Sequence, residues 1–304
     1  MRDEPLPALP PRDARGHKGT FGTVCVVGGQ AVAPTVMIGG PALTAEAALR
    51  AGAGLAMLAV PAPLMGTALT IVPSATGLAL PVDDAGALRP SEVAAVLDDA
   101  RPRIEVLAVG PGWGHAFPQQ QVLVRLLADE RTPIVLDADG LNAFSELAGV
   151  QRDVQAPLII TPHPGEMRRL ADALEMSVDL RSPAGRADAT DDLARRLGCV
   201  VVLKGAGTVV SDGHRRRVNH TGNAALATAG TGDVLTGVIA GLVAQHFNRT
   251  EPELDLWSCA ALGVWLHGRA ADLWCEQRGE AGLLARELSN ILPDVIDAYR
   301  RSDA

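Results

Sequence analysis

The chain has 304 residues, 47% of them hydrophobic and 20% charged, with a formal net charge of −8 at pH 7. These values exclude a disordered or collagen-like chain and a uniformly basic face for nucleic acid or anionic membrane. They leave a globular protein whose partner is a small molecule. Arginine supplies all the basic residues except Lys18 and Lys204, and both lysines stand beside glycines. That reads either as two positions that want a compact ammonium or as chance survivors of a composition bias.

In chain order, residues 1–15 form a Pro-rich, charged arm with no apolar signal core, and no later stretch is long and apolar enough to span a bilayer. Cys25, Cys199, Cys259 and Cys275 sit in apolar runs without CxxC spacing, so they read as buried hydrophobes in a reducing cytoplasm. TVCVVGG at 23–29 predicts a buried strand entering a tight turn, and a helix follows, ending at Gly52. LAMLAV is a second strand. The runs IEVLAVG (104–110), PIVLDAD (133–139), APLIITP (156–162) and CVVVLKG (199–205) have the continuous apolar character of inner parallel strands.

QQVLVRLLADE, LNAFSELAG, GEMRRLADAL and ATDDLARRLG lie between these runs with helical periodicity, and helices over 234–247, 254–277 and 283–300 close the chain. The order is repeated βα, which predicts one α/β domain over residues 16–304. Its largely parallel sheet is flanked by helices on both faces, with ligands bound beyond the carboxyl ends of the strands.

Those strand ends carry the candidates. His17 and Lys18 precede the first strand and read as able to meet a phosphate or carboxylate from a neighbouring loop, while Gly28 and Gly29 allow close backbone approach or make a plain turn. In AVGPGWGH, Gly110, Gly112 and Gly114 expose backbone amides to a flat or anionic group. Asp137 and Asp139 share a strand face, which suits water-mediated Mg²⁺ or, for Asp139, a helix cap. TPHPGE presents His163, Pro164, Gly165 and Glu166 at the start of a helix; the bland alternative makes Glu166 a first-turn acid and His163 a surface residue. LKGAGT offers Lys204, Gly205, Ala206, Gly207 and Thr208 to nucleotide phosphate or ribose, or else Lys204 snorkels from the sheet end.

The strongest element is GNAALATAGTGDVLTGVIAGLVAQ, residues 222–245. Gly230, Thr231 and Gly232 precede an apolar helix, so free amides and the positive end of the helix dipole converge as an anion hole. Asp233 in the first turn either caps the helix or is a base beside a transferring phosphoryl group. A carboxylate repels an anionic ligand unless it performs chemistry, which favours the base. Gly237 and Gly241 allow close helix packing or ligand approach.

In this order, HKGTFGTVCVVGG, GPGWG, LDADGLN, TPHPGE, LKGAGT and the GTGD segment resemble the ADP/ATP-dependent NAD(P)H-hydrate dehydratases of the ribokinase-like superfamily, across nearly the whole chain. The resemblance implies a nucleotide repair enzyme that returns the S form of hydrated NADH or NADPH to the reduced dinucleotide, consuming ADP in most bacterial members and ATP in eukaryotic ones. It implies that Asp233 deprotonates the hydrate hydroxyl and that Gly230, Thr231 and Gly232 stabilise the transferred group. Gly40, Gly112, His163, Pro164, Gly165, Glu166 and Asp233 would meet the hydrate. Lys204, Gly205, Ala206, Gly207, Thr208, Asn223, Thr231 and Gly232 would hold the nucleotide, and Glu166 would organise Mg²⁺ through water.

Gly40 stands where many members have Ala, and Ala229 where a Gly-Gly pair is common. Only a short arm precedes His17, so a separate NAD(P)H-hydrate epimerase is expected as functional partner. A homotetramer is implied too, with Trp257, Trp265 and Trp274 as either interface or core. The competing readings are a hydroxymethylpyrimidine or hydroxyethylthiazole kinase, which would leave a stable phosphorylated alcohol, and a non-catalytic adenylate sensor, which would bind without turnover.

Overall fold

The computed structural model describes residues 3–147, 149, 154–247 and 251–302. β-Branched and aliphatic runs form β1 (Thr23–Val27), β2 (Leu55–Pro61), β4 (Val106–Val109), β5 (Ile134–Leu136), β6 (Leu158–Ile160) and β7 (Val200–Leu203). Apart from the half-exposed Leu55, every residue of these six strands is buried, which explains their lack of polar alternation. β3 (Thr76–Leu80), β8 (Val209–Ser211) and β9 (Arg216–Val218) escape sequence reading. They are short, and TGLAL and RRV leave most of their residues partly or fully exposed.

The nine strands found among the described residues form one sheet in the order β3-β2-β1-β4-β5-β6-β7-β8-β9. Pairing is parallel from β3 through β7 and antiparallel for β8 and β9. The chain therefore reverses direction across the sheet between β1 and β4, the switch point where open α/β sheets bind ligands.

Successive strand residues feed opposite faces. Val24 and Val26 join the core under α1 (Gly39–Arg50), α2 (Met65–Ile71), α8 (Thr231–His246), α9 (Leu256–Arg278) and α10 (Ala285–Ser302). Cys25 and Val27 join the core under α3 (Pro90–Ala100), α4 (Phe117–Leu127), α5 (Asp139–Ser145), α6 (Pro164–Ala173) and α7 (Pro183–Leu197). The expected α/β class, with helices on both faces, is what forms. Local signals set several ends: Ser182 caps α7 by accepting from Gly185 N at 3.0 Å, Pro183 opens it, and left-handed Gly198 stops it. The helix expected from Leu141 begins two residues earlier and ends at Ser145; of its expected remainder, Ala148 lies outside the described residues.

α8 is apolar all round because it lies between α1, α9 and the sheet. Its close crossing with α1 requires glycine. A Cβ on Gly237 would stand 2.2 Å from Thr44 O, and one on Gly241 would stand 2.8 Å from Ala48 O. Close packing is thus the reading of these two glycines that the structure supports.

Of the two readings left open for the tryptophans of α9, the structure supports core within this chain. Trp257 and Trp274 are buried, and Trp265 stacks on Tyr299 of α10 with ring centroids 4.8 Å apart. The Pro-rich arm is laid against the same helix: Tyr299 Oη donates to Pro7 O at 2.9 Å, and Leu9 is buried in the core. All four cysteines are free. Among the described residues no helix is long and apolar enough to cross a membrane.

Candidate active site

The N-terminus of α8 opens at the carboxyl edge of the sheet. Gly230 adopts φ +90°, a left-handed conformation that glycine takes at little cost, and turns the chain into the helix. Among the described residues no side chain caps the helix, which leaves its first-turn amides without a side-chain acceptor. Thr231 contributes backbone rather than hydroxyl: its Oγ1 lies 2.8 Å from Leu226 O and 2.9 Å from Thr228 O, committed to the preceding turn. His267 of α9 holds this turn from behind through Nε2, 2.8 Å from Thr231 O. Burial pushes the His267 imidazole down to about 4, so it is neutral and Nε2 donates.

Asp233 follows in the first turn. Its backbone carbonyl accepts from Thr44 Oγ1 of α1 at 3.0 Å. Its carboxylate lies beside the start of α1, where a Cβ on Gly40 would stand 3.3 Å from Asp233 Oδ1 and 3.2 Å from Pro111 Cβ. Gly40, Pro111 and Asp233 therefore meet at the switch point between β1 and β4. Burial, reinforced by the nearby Asp137 charge and opposed by Lys204, pushes the Asp233 carboxyl up to about 7.

Beneath it lies an ionic cluster. Lys204, at the end of β7, donates through Nζ to Asp137 Oδ1 at 2.6 Å and stands 3.9 Å from Glu166 Oε2. The snorkelling alternative for Lys204 fails, because the side chain turns inward toward carboxylates. Asp137 is 1% exposed, and its Oδ2 accepts from Thr236 Oγ1 at 2.7 Å. Burial opposes its ionisation, but Lys204 and the hydroxyls of Thr236 and Thr161 outweigh that and hold it below the usual carboxylate range.

Glu166 is pushed up to about 7, chiefly by burial, with Lys204 opposing. It also completes a capping box: His163 Nδ1 accepts from Gly165 N and Glu166 N, while Glu166 Oε2 accepts from His163 N at 2.7 Å. The bland reading of TPHPGE is therefore part of the truth for His163, and Pro164 is the first-turn proline of α6. Glu166 faces the cluster as well.

A cleft of about 600 Å³ adjoins this cluster, within the range of small-molecule sites. Lys204, Gly205, Ala206, Gly207 and Thr208 line it together with Asn223, Thr231 and Gly232. All eight residues assigned to nucleotide thus share one cavity. The Asn223 side chain is spent on the wall itself, donating to Asp272 Oδ1 at 2.9 Å and accepting from Ala225 N at 3.0 Å.

Several participants carry no sequence signal. Thr236 is one threonine on an apolar helix, His267 lies in another, and Thr221, Val264 and Gly268 line the cleft without any motif.

Other candidates lie elsewhere. His17 and Lys18 are exposed and sit before β1, at the amino ends of the strands. His17 Nδ1 accepts from Gly19 N in a local turn, and Lys18 O closes on Gly54. Parallel strands put the start of β1 at the opposite edge from its end, so neither residue meets the site. Gly28 leaves room for protein, since a Cβ there would stand 2.4 Å from Pro111 O. Gly112 has φ +56° and packs beside Met37, next to the Gly40 and Pro111 contact. Asp139 opens α5 and accepts from Gly114 N at 2.8 Å, so it ties two loops together.

Among the described residues no group of three His, Cys, Asp or Glu is arranged to hold a metal by itself. The donor set still fits Mg²⁺ held mostly by phosphate and water. Asp137, Glu166 and Asp233 face one ammonium, and the surplus negative charge suits a divalent cation near Glu166.

Comparison with known proteins gives this geometry a context. The family model for NAD(P)H-hydrate dehydratase matches residues 24–294. The chain belongs to this family. A bifunctional NAD(P)H-hydrate repair enzyme of Moorella thermoacetica is 39% identical over 290 residues, 95% of this chain and 52% of that protein. The chain thus spans about half the length of the bifunctional relatives it matches. An ADP-dependent (S)-NAD(P)H-hydrate dehydratase of Bacillus subtilis is 34% identical over 94% of this chain and 93% of its own length. The crystal structure of an ADP/ATP-dependent NAD(P)H-hydrate dehydratase from Bacillus subtilis, co-crystallised with ATP and Mg²⁺, superposes with a TM-score of 0.76, 31% identity and coverage of 96% and 95% of the two chains.

Proposed function

We propose that the protein is an ADP-dependent (S)-NAD(P)H-hydrate dehydratase, with residues 16–304 carrying the site. The observation that carries the reading is Asp233: a half-buried carboxyl with affinity for a proton near neutrality, at the uncapped start of α8, between the nucleotide cleft and the Gly40 and Pro111 contact. A base is most effective when its pKa lies near the working pH.

In the proposed reaction the hydrate lies on the Gly40, Gly112 and His163 side, and ADP occupies the cleft with its terminal phosphoryl at the first turn of α8. Asp233 takes the proton of the ring hydroxyl as that oxygen attacks the terminal phosphorus in line, and AMP leaves. The backbone at Gly230, Thr231 and Gly232 stabilises charge on the transferred group. The ring nitrogen then pushes electrons into the ring, the carbon–oxygen bond breaks and phosphate departs. Loss of a proton from the adjacent carbon restores the double bond. Mg²⁺, when bound, neutralises charge on the phosphates, with Glu166 organising it through water.

The reading extends to a reducing cytoplasm, which the four free thiols support, to a homotetramer, and to an epimerase activity that supplies the S hydrate. Sedimentation at assay concentration tests the assembly. The activity is tested by mixing the protein with the S hydrate of NADH, Mg²⁺ and either ADP or ATP, following reduced-nicotinamide absorbance and phosphate release. Recovery of both signals is expected, faster with ADP. A stable phosphorylated alcohol would point to a precursor kinase, and nucleotide binding without turnover to a sensor.

A further inference from the structure

Asp137 is a fully buried carboxylate that neither the capping box nor the proposed base accounts for. Both of its oxygens are spent: Oδ1 on Lys204 Nζ at 2.6 Å and Oδ2 on Thr236 Oγ1 at 2.7 Å. Three different elements meet here, since Asp137 directly follows β5, Lys204 directly follows β7 and Thr236 lies one turn into α8. The ammonium so held belongs to the lining of the cleft, where a Cβ on Gly232 would be 3.6 Å from Lys204 Nζ, and it is also 3.9 Å from Glu166 Oε2.

A lysine stem is flexible and its ammonium is a point charge without fixed geometry. Left to itself in a cleft with two further carboxylates, it would have several places to go. The two hydrogen bonds of Asp137 remove that freedom and tie the charge to the same helix whose first turn carries the anion hole.

We propose that Asp137, braced by Thr236, is a positioning residue that acts through Lys204, fixing the ammonium beside the first turn of α8 where the transferred phosphoryl group develops charge. Asp137 is itself buried and does not line the cleft. The assignment rests on the phosphoryl-transfer reading of this turn, and it separates binding from turnover. The nucleotide is held along the cleft walls, so loss of the Asp137 brace misplaces one charge at the reacting end and leaves the rest of the cleft intact.

The test is a double-mutant cycle on turnover in the hydrate, ADP and Mg²⁺ assay, with ADP affinity and thermal melting measured on each variant. Asp137→Asn keeps the shape and removes the charge; it is expected to lower kcat about a hundredfold, as misplacement of a reacting group by an ångström does, with the KM for ADP within about twofold of wild type. Lys204→Gln is expected to lower kcat similarly. The double variant should be no slower than the worse single one, because both remove the same positioned charge.

Asp137→Asn with kcat within about threefold of wild type, or losses that multiply in the double variant, would overturn the assignment. Should Asp137→Asn fail to fold, Thr236→Val carries the test: kcat is expected to fall about tenfold and to be restored by Thr236→Ser, which returns the hydroxyl. Unchanged kcat in Thr236→Val, or no rescue by serine, then overturns it. Absence of turnover in the wild-type protein would instead overturn the reading of the site, and this assignment with it.

Discussion

A Cβ on Gly40 would stand 3.3 Å from Asp233 Oδ1, so the second residue of α1 sets the space beside the proposed base. That distance is tighter than ordinary van der Waals contact but reachable by a shift of a few tenths of an ångström. Gly40→Ala should raise the melting temperature slightly, because alanine is favoured over glycine in a helix by about 1 kcal/mol. The added methyl removes water from the carboxylate, so the acid limb of the pH–rate profile should move upward. Melting curves and kcat/KM against pH check both.

Asp233→Asn should reduce kcat about 10²- to 10⁴-fold, the usual contribution of a positioned general base, while ADP still binds. Wild-type kcat/KM should rise with pH through a limb near 7. Glu166 is pushed up to about 7 as well, so the limb has to be assigned by variants of both residues. Glu166→Gln should leave a limb, and Asp233→Asn should flatten it at its low residual rate. A pH profile of each variant separates the two.

Stability should depend on pH in two opposed ways. The Asp233 carboxyl is raised from 3.8 to about 7, so its contribution to stability is present below the ordinary carboxylate range and is lost as pH rises through 7. His267 is lowered from 6.5 to about 4, so its contribution is full above 6.5 and is lost as pH falls toward 4. Asp233→Asn should therefore melt about 2–4 °C higher than wild type at pH 8, with the gap narrowing as pH falls and closing only near pH 4. His267→Gln should flatten the decline between pH 6.5 and 4. Melting temperatures across pH 4 to 8 check both signs.

Gly230→Ala attacks the anion hole through the backbone. A Cβ there meets Leu43 Cδ1 at 2.7 Å, and the left-handed φ of +90° strains any other residue. The first turn must re-aim, and loss of one oriented donor costs about 10²- to 10³-fold in kcat. Steady-state kinetics with the S hydrate and ADP measure it, with circular dichroism confirming that the helices persist.

Gly237→Val tests the α1 and α8 crossing. The new side chain would run into Thr44 O and Ala47 Cβ, and overpacking of this kind costs about 1–3 kcal/mol. The midpoint of urea unfolding should fall, with the slope unchanged.

By itself the sequence determined the repeated βα order, the inner strands, the three closing helices and the segments at the carboxyl edge. Those signals are local: continuous apolar runs mark strands buried on both faces, and glycine, proline and capping residues mark where they turn. It also determined the glycine-rich start of α8 at the GTGD segment, since glycine and the first-turn residues mark a helix start locally.

Tertiary structure alone decided the rest. HKGTFG and the stronger GTGD segment both offer themselves as ligand loops, but a parallel strand separates its two ends, and only the fold shows that His17 and Lys18 occupy the wrong edge. The exposed β3 and the β8–β9 extension carry no apolar run to betray them. Lys204 read as a nucleotide contact became the partner of Asp137, 67 residues away, and Thr236 was invisible on its apolar helix. A burial-driven shift in Asp233, and an ammonium held by residues from three elements, depend on distances that the chain acquires only when the sheet closes over them.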